Sequence, residues 1–394
     1  MLSTVQNIST MEQRVIISAI GEIGSSITQN FQNDLAMSLA ECERDHIFVL
    51  TDENTLEKCW PMLSNFYGLK NAKIITIKAG DQNKTLDSLA YVWQELANGG
   101  ATRHSCLINL GGGMVTDLGG FAASTFKRGM NFINLPTTLL AMVDASVGGK
   151  TGINFRGLKN EIGVFNDSKF VILNTEFLAT LDKENMLSGY AEMLKHGLIS
   201  NEDTWAELIE FEFDVKDSSD DSNNNSTQRS TFNIQRSTFK RLQRMVADSV
   251  KVKENIVEQD PTEKGLRKAL NFGHTFGHAF ESMSLSPDSP HISPLLHGYA
   301  VAYGIICELY LSSVKVGFPT DKMRQTVTYI RENYGTLPIT CDDYDELIRL
   351  MTHDKKNTSG TINFTLLAGI GDIRIDQTAT IEEIKEALDF LREG

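Results

Sequence analysis

SCLINLGGGMVTDLGGF, residues 105–121, decides the fold. SCLINL is a short apolar run without helical spacing, which reads as a strand. Gly111, Gly112 and Gly113 follow at once, and MVTDLGGF can continue as a helix. Glycines at a strand-to-helix turn let backbone N–H groups approach a phosphate, and the helix N-terminus favours its charge. The segment fits GxGxxG poorly, so a tight turn without any ligand explains the same residues equally well.

Outward from this turn the pattern repeats. HIFVLTD (46–52), KIITIKAG (73–80), NFINLP (131–136) and KFVILN (169–174) are further strand candidates. SLAYVWQELANGG (88–100) has helical spacing and ends in glycines. Alternation of this kind implies βαβ units around a largely parallel sheet. Beyond about residue 180 the strand signal fades. SGYAEMLKHGLI, FKRLQRMVADSVKVKENIV, KALNFGHTFGHAFESM and LHGYAVAYGIICELYLSSV read as helices. TINFTLLAGIGDIRI reads as a hairpin turning at Gly369–Gly371, and TIEEIKEALDFLREG as a last helix capped by Thr380. The expectation is an α/β domain over 1–182 and a mainly helical domain over 183–394. Residues 217–231, DSSDDSNNNSTQRST, are nearly free of apolar side chains and read as a mobile surface insertion. QRSTF occurs at 228–232 and again at 235–239, a local duplication and not a repeat architecture.

Composition narrows the class of function. The chain has 394 residues, 41% hydrophobic and 22% charged, which is ordinary for a globular protein with two cores. A formal charge of −14 disfavours nucleic acid and anionic membrane as partners. No run of about 18 apolar residues predicts a membrane span, and the N-terminus has no secretory pattern. Five scattered cysteines without a CxxC pair suggest reduced thiols and a cytoplasmic location.

Two further motifs carry chemistry. VDASVGGKTGINFRGLKN (143–160) sets Asp144, Lys150, Lys159 and Asn160 in a glycine-rich, poorly helical stretch, which suits an anionic ligand. A solvated surface loop is the plain alternative. Glu192, His274 and His297 form a carboxylate-plus-two-imidazole set, common at catalytic zinc sites that keep a position open. His274 and His278 are one helical turn apart and can share a face. Taken singly, a histidine in a helix is more often a packed or capping residue than a ligand.

The motifs GGGMVTDLGGFAASTFKRG, NLPTTLLAMVDASVGGKTGIN, LKNEIGVF, GYAEMLKHGLI, LNFGHTFGHAFE, LHGYAVAYG and HDKKN resemble, in order, those of the 3-dehydroquinate synthases. The resemblance spans roughly residues 45–360. It implies a Rossmann-like N-terminal domain and a helical C-terminal domain, with the site in the cleft between them. It also implies NAD, a Zn2+ or Co2+ ion, and a homodimer. The implied substrate is 3-deoxy-D-arabino-heptulosonate 7-phosphate, and the products are 3-dehydroquinate and phosphate, the second step of the shikimate pathway. The implied course is oxidation at C5, loss of phosphate, reduction at C5, ring opening and closure, with no net redox change.

Position by position, the resemblance assigns roles. Glu192, His274 and His297 would hold the metal. Lys150, Asn160, His278, Lys355 and Arg128 would address the phosphate, with Arg128 reaching from a partner subunit. Lys150 and Arg267 would hold the carboxylate, where a guanidinium fork suits two oxygens. Asp144, Lys195, Lys253 and Asn271 would bind hydroxyls, and Glu263 would orient the site. Asp52, Asn54, Asp81, Lys84, Gly113, Met114, Val115, Thr116, Asp117, Thr137, Thr138, Lys150, Lys159, Phe177, Leu178, Ala179 and Thr180 fall at NAD positions. Three features depart from the family pattern: Thr116 where Gly is common, Asp81 where Glu is common, and the 217–231 insertion. The rivals are another sugar phosphate cyclase, a polyol dehydrogenase that releases NADH, and a non-catalytic NAD- or metal-binding protein. Arg267 and Lys253 weigh against the first, and Lys150, Lys159 and Asn160 against the second.

Overall fold

The computed structural model describes residues 13–18, 29–42, 44–156, 158–213, 236–286, 289, 291–352 and 362–393. The 217–231 insertion and Lys355 lie outside them, as does the rest of HDKKN. The chain divides into two compact units, Met1–Phe177 and Leu178–Gly394.

The first unit runs β1 (Arg14–Ile17), α1 (Gln29–Glu41), β2 (Ile47–Asp52), α2 (Glu53–Lys58), β3 (Lys73–Ile77), α3 (Leu86–Asn98), β4 (Cys106–Gly111), α4 (Gly113–Thr125), β5 (Asn131–Pro136), β6 (Lys150–Phe155), β7 (Leu158–Phe165) and β8 (Phe170–Leu173). Six of these strands form one sheet in the order β1-β8-β5-β4-β2-β3, and every pairing in it is parallel. All residues of β4 and β8 are buried. Strands covered on both faces are apolar throughout, so they stand out in the sequence. On α3, Leu89, Val92 and Leu96 recur at helical spacing and are each 0% exposed. Burying a side chain of this size contributes about 1.5–3 kcal/mol.

The second glycine pair of the opening motif has a packing role. A Cβ on Gly119 would lie 2.0 Å from Asn109 Oδ1. Glycine there lets α4 lie close on the sheet, over the buried Asn109–Asn134 hydrogen bond of 2.9 Å that joins β4 to β5. At the opposite end of the strands, the Asp45 carboxylate accepts hydrogen bonds of 2.5 Å from both Ser105 and Thr102. These bonds tie the entry of β2 to the entry of β4. They also hold the Asp45 carboxyl down at about 2.

In this unit the structure disposes of one alternative, the solvated surface loop. The stretch 143–160 is not a loop. It is the end of a π-helical turn, Ala141–Ala145, followed by the antiparallel hairpin β6–β7. β7 is exposed along nearly its whole length, so it has no hydrophobic alternation to read.

The second unit contains α5 (Lys183–Ser200), α6 (Glu202–Ile209), α7 (Arg236–Gln259), α8 (His274–Ser284), α9 (His297–Val316), α10 (Thr320–Tyr334), α11 (Tyr344–Thr352), the hairpin β9 (Asn363–Gly369) and β10 (Asp372–Thr378), and α12 (Ile381–Glu393). The segment read as one helix from Lys268 is broken. Leu266–Asn271 is 3₁₀, Gly273 is left-handed at φ 79°, and α8 starts at His274. The hairpin turns at Ile370–Gly371. Thr380 caps α12 as expected: its Oγ1 accepts from Glu383 N at 3.2 Å, and its N donates to Glu383 Oε2 at 2.7 Å. Among the described helices, α9 alone has the length and hydropathy of a membrane span, and 67% of that stretch is buried in the protein. It is the core helix of this unit. No disulfide joins the five cysteines.

Candidate active site

In the first unit, β2, β4 and β5 are neighbours, so Asp52, Gly111 and Pro136 end side by side. In open α/β sheets, ligands bind outside the carboxyl ends of the strands. Gly112 begins α4 without a side-chain cap. Val115 is buried and packs under Gly111, where a Cβ would lie 2.5 Å from it. Only the backbone of this turn is therefore suited to a ligand. The Thr116 hydroxyl donates back to Gly113 O at 3.1 Å, so this departure adds no polar group to the turn. Thr137 N donates to Gly111 O at 3.0 Å, and Thr138 Oγ1 accepts from Ala141 N at 3.2 Å. Asp52 acts as a helix cap, accepting from Thr55 N at 2.8 Å, and Asn54 is exposed in the first turn of α2.

A second group of predicted residues converges around Lys84. Its Nζ lies 3.0 Å from Asp117 Oδ2, 2.6 Å from Asn160 Oδ1 and 3.3 Å from Asp81 Oδ1. Lys159 lies 3.3 Å from Asp81 Oδ2. Burial would lower the Lys84 ammonium, but Asp117 and Asp81 outweigh it and raise it. Burial raises the Asp117 carboxyl, with Lys84 opposing. Burial also works to raise Asp81, yet Lys84 and Lys159 bring it below its usual range. Asn154 holds the group together, donating to Asp81 Oδ2 at 3.2 Å and accepting from Asn160 N at 2.9 Å. The sequence reading did not single out Asn154, because an asparagine in a glycine-rich stretch looks like any turn residue.

The remaining predicted residues of this unit are dispersed. Lys150 opens β6 and is exposed. Asp144 is half-buried in the π-helical turn. Arg128 is exposed, in a run of left-handed residues with Lys127 at φ 49°, Arg128 at φ 70° and Gly129 at φ 118°. Phe177 is fully buried and packs edge-on against Phe31. The last three predicted nucleotide positions open the second unit: Leu178 is buried, Ala179 exposed and Thr180 half-buried.

In the second unit, α5 is buried along 14 of its 18 residues, and this includes Glu192 and Lys195. Glu192, His274 and His297 offer ligand atoms within 4.8 Å of one another. Glu192 Oε1 lies 3.4 Å from His274 Nε2 and 3.4 Å from His297 Nε2. Glu192 Oε2 is hydrogen-bonded to Lys195, but Oε1 is buried and has no hydrogen-bond partner. His274 Nδ1 faces Phe272 O at 3.1 Å, and His297 Nδ1 faces Glu281 Oε2 at 3.3 Å. When the rings are neutral with the proton on the hydrogen-bonded Nδ1, the Nε2 lone pairs are directed at Glu192 Oε1, as in metal sites whose ligands are oriented from behind. Burial opposes the charged form of His297, but Glu281 and Glu192 raise it to about 10. The point where these three groups meet favours a cation. The residues present fit a divalent metal.

Close helix approach brings the histidines together. A Cβ on Gly304 of α9 would lie 1.9 Å from Gly273 O, so glycine there lets α8 and α9 lie nearly backbone to backbone. The His274 and His297 rings are 5.4 Å apart, and His278 is 5.3 Å from His274. Nearby, Arg267 is 2% exposed and donates to Pro261 O at 2.6 Å. Asn271 donates to Glu263 Oε1 at 2.7 Å, so Glu263 orients Asn271 directly. Lys253 is buried on α7. Asp260, not singled out in the sequence, organises this loop by accepting from the backbone N of Lys264, Gly265 and Arg267.

Comparison with known proteins bears on both units. A family model described as 3-dehydroquinate synthase N-terminal matches residues 74–188. A second, 3-dehydroquinate synthase C-terminal, matches 189–357. A curated relative named 3-dehydroquinate synthase, from Parabacteroides distasonis, is 51% identical over 93% of this chain and 97% of its own. Among solved structures, a 2-deoxy-scyllo-inosose synthase complexed with carbaglucose-6-phosphate, NAD+ and Co2+ aligns with TM-score 0.75 at 21% identity, covering 96% of both chains. A 2-epi-5-epi-valiolone synthase from Streptomyces hygroscopicus, with NAD+ and Zn2+ bound, aligns with TM-score 0.75 at 22% identity, covering 99% of both. These two likenesses speak to the fold.

Proposed function

The chain belongs to the 3-dehydroquinate synthase family, and from that premise we propose that it converts 3-deoxy-D-arabino-heptulosonate 7-phosphate to 3-dehydroquinate and phosphate. The observation that carries this reading is the convergence of Glu192, His274 and His297 on a buried carboxylate oxygen that has no hydrogen-bond partner. The reaction is a phosphate-eliminating carbon–oxygen cleavage followed by ring closure, at the second step of the shikimate pathway, in the cytoplasm and in a homodimer. When bound, NAD supplies a reversible hydride acceptor for C5, and Zn2+ or Co2+ supplies a Lewis acid that eases loss of the C5 hydroxyl proton.

The chain's own residues do the rest. Glu192 Oε1 and the Nε2 atoms of His274 and His297 hold the metal. Lys195 neutralises Glu192 through Oε2 and keeps its other N–H donors for a substrate hydroxyl. Asp144, Lys253 and Asn271 take further hydroxyls, Asn271 being oriented by Glu263. Arg267 offers its fork to the carboxylate, joined by Lys150. Lys150, Asn160, His278, Lys355 and the Arg128 of the partner subunit take the phosphate. Asn160 Oδ1 accepts from Lys84, which directs its Nδ2–H donors away toward an anion. The phosphate can itself accept the C6 proton, so no protein base is required. The Gly113–Asp117 turn, Thr137 and the Lys84 group serve the nucleotide.

The test is phosphate release from 3-deoxy-D-arabino-heptulosonate 7-phosphate with NAD and Zn2+, while NADH absorbance is followed. Phosphate and 3-dehydroquinate without lasting NADH is the expected result. Lasting NADH would point to a dehydrogenase, and no turnover would return the choice to another cyclase substrate or a non-catalytic role.

A further inference from the structure

We propose that α8 and α9 brace each other's metal ligand with a buried carboxylate: Glu281 of α8 orients His297 of α9, and Glu308 of α9 fixes the backbone on both sides of His274 of α8. The inference rests on the metal reading above and concerns Glu281, which closes the motif LNFGHTFGHAFE without an assigned role, and Glu308, which lies outside the quoted motifs.

Both carboxylates are deeply buried, Glu281 at 3% and Glu308 at 0% exposed. A buried carboxylate persists only where hydrogen-bond donors meet it. Glu281 meets the His297 ring at Nδ1, 3.3 Å away. His297 is the first residue of α9; Leu296 before it offers no side-chain cap, and Ser188 Oγ of α5 accepts from Gly298 N at 3.1 Å without touching the ring. The ring's direction is therefore governed by its partners, and Glu281 sits on the nitrogen opposite the one that faces Glu192.

Glu308 acts through the main chain. Its Oε2 accepts from Gly273 N at 2.7 Å, and its Oε1 accepts from Thr275 N at 3.1 Å. These two N–H groups flank His274. α8 has no side-chain cap of its own, so a carboxylate from the neighbouring helix meets its N-terminal donors and its dipole. Gly304, one turn before Glu308, lets α9 come close enough for this. The turn so held also carries Phe272 O, the partner of His274 Nδ1. Displacing it would swing the imidazole off the metal position. Each helix thus supplies one ligand and the brace for the other.

The experiment uses the full-length protein and Co2+ as probe, with affinity by calorimetry and geometry by the visible absorption of bound Co2+. Glu281→Gln and Glu308→Gln should each weaken Co2+ binding about tenfold or more and alter the visible band. The double variant should lose about the product of the two, because the braces act on different ligands. Thr326→Val is the control for a merely structural effect. Thr326 is 0% exposed and bonds Trp205 Nε1 at 3.0 Å, so its loss should lower Tm while Co2+ affinity stays within about twofold. If Glu308→Gln does not fold, Glu308→Asp keeps the charge but cannot reach both N–H groups, and should still weaken binding severalfold. Variants that bind Co2+ like the wild type, with an unchanged band, would overturn the brace and leave the metal reading standing. A wild type that binds no Co2+ or Zn2+ would overturn both.

Discussion

Two polar clusters in this protein are built on opposite plans. Around Lys84, opposite charges face each other: Asp117, Asp81 and Asn160 surround one ammonium, and Lys159 closes on Asp81. Around Glu192, one carboxylate oxygen and two imidazole nitrogens point at the same spot, so with neutral rings acceptors face acceptors. The first cluster is satisfied by its own members and keeps its shape alone. The second has a buried oxygen without a hydrogen bond, and positive charge placed there, from a metal ion or a proton, would stabilise it. Self-satisfied polar groups form scaffolding around a ligand, and mutually repelling ones mark where the ligand's own charge belongs.

The largest expected effect breaks the second plan. Glu192→Gln removes the only carboxylate among the three ligands. It should lower metal affinity at least about a hundredfold and turnover about a thousandfold, as judged by Co2+ titration and phosphate release. Chelation of the wild type should abolish turnover and added Zn2+ restore it. Turnover that survives chelation would erase the contrast between the clusters.

Next comes Lys150→Ala. Lys150 belongs to neither cluster and is proposed to serve two anionic groups of the substrate, so about a hundredfold loss in kcat/KM is expected. Activity within about threefold of wild type would remove Lys150 from the anion site.

Lys84→Met attacks the first plan. It leaves half-buried Asp117 without its cation and should cost about 3 kcal/mol in denaturant unfolding. Adding Asp117→Asn should recover a large part of that loss, because the orphaned charge is gone. A metal affinity unchanged in Lys84→Met would sharpen the separation. An equal loss in the single and double variants would show that the cluster is not held by charge.

The smallest effect lies at the other end of the strands. Asp45 has its carboxyl held down to about 2 by Ser105 and Thr102. Its folded-state value is depressed, so its contribution is present above the ordinary carboxyl range near 3.9 and is lost as pH falls toward about 2. Asp45→Asn should slightly flatten the acid limb of a Tm-versus-pH curve and leave turnover unchanged. A steeper acid limb would reverse the sign of this account.

Much of the fold was legible. β4 and β5 are fully or almost fully buried, and burial on both faces forces an unbroken apolar run that a reader can see. β7 was not legible because its side chains face water, which imposes no pattern. The break at Phe272–Gly273 was missed for a different reason. Helical spacing continues on both sides of it, while extended Phe272 (ψ 129°) and left-handed Gly273 interrupt the helix.

By itself, the sequence determined the residue types and their local order: glycines after an apolar strand, a carboxylate and two imidazoles on helical stretches, and motifs that resemble one family throughout. Those features are local, governed by backbone geometry and by which side chains must avoid water. Only the tertiary structure decided that Glu192 Oε1 meets both imidazoles, that Lys84 gathers Asp117 and Asn160, and that Glu308 holds the turn bearing His274. Each of these joins residues many positions apart. Their meeting depends on how closely two helices, or a strand and a loop, can pack, and on the cost of burying a charge that finds no partner.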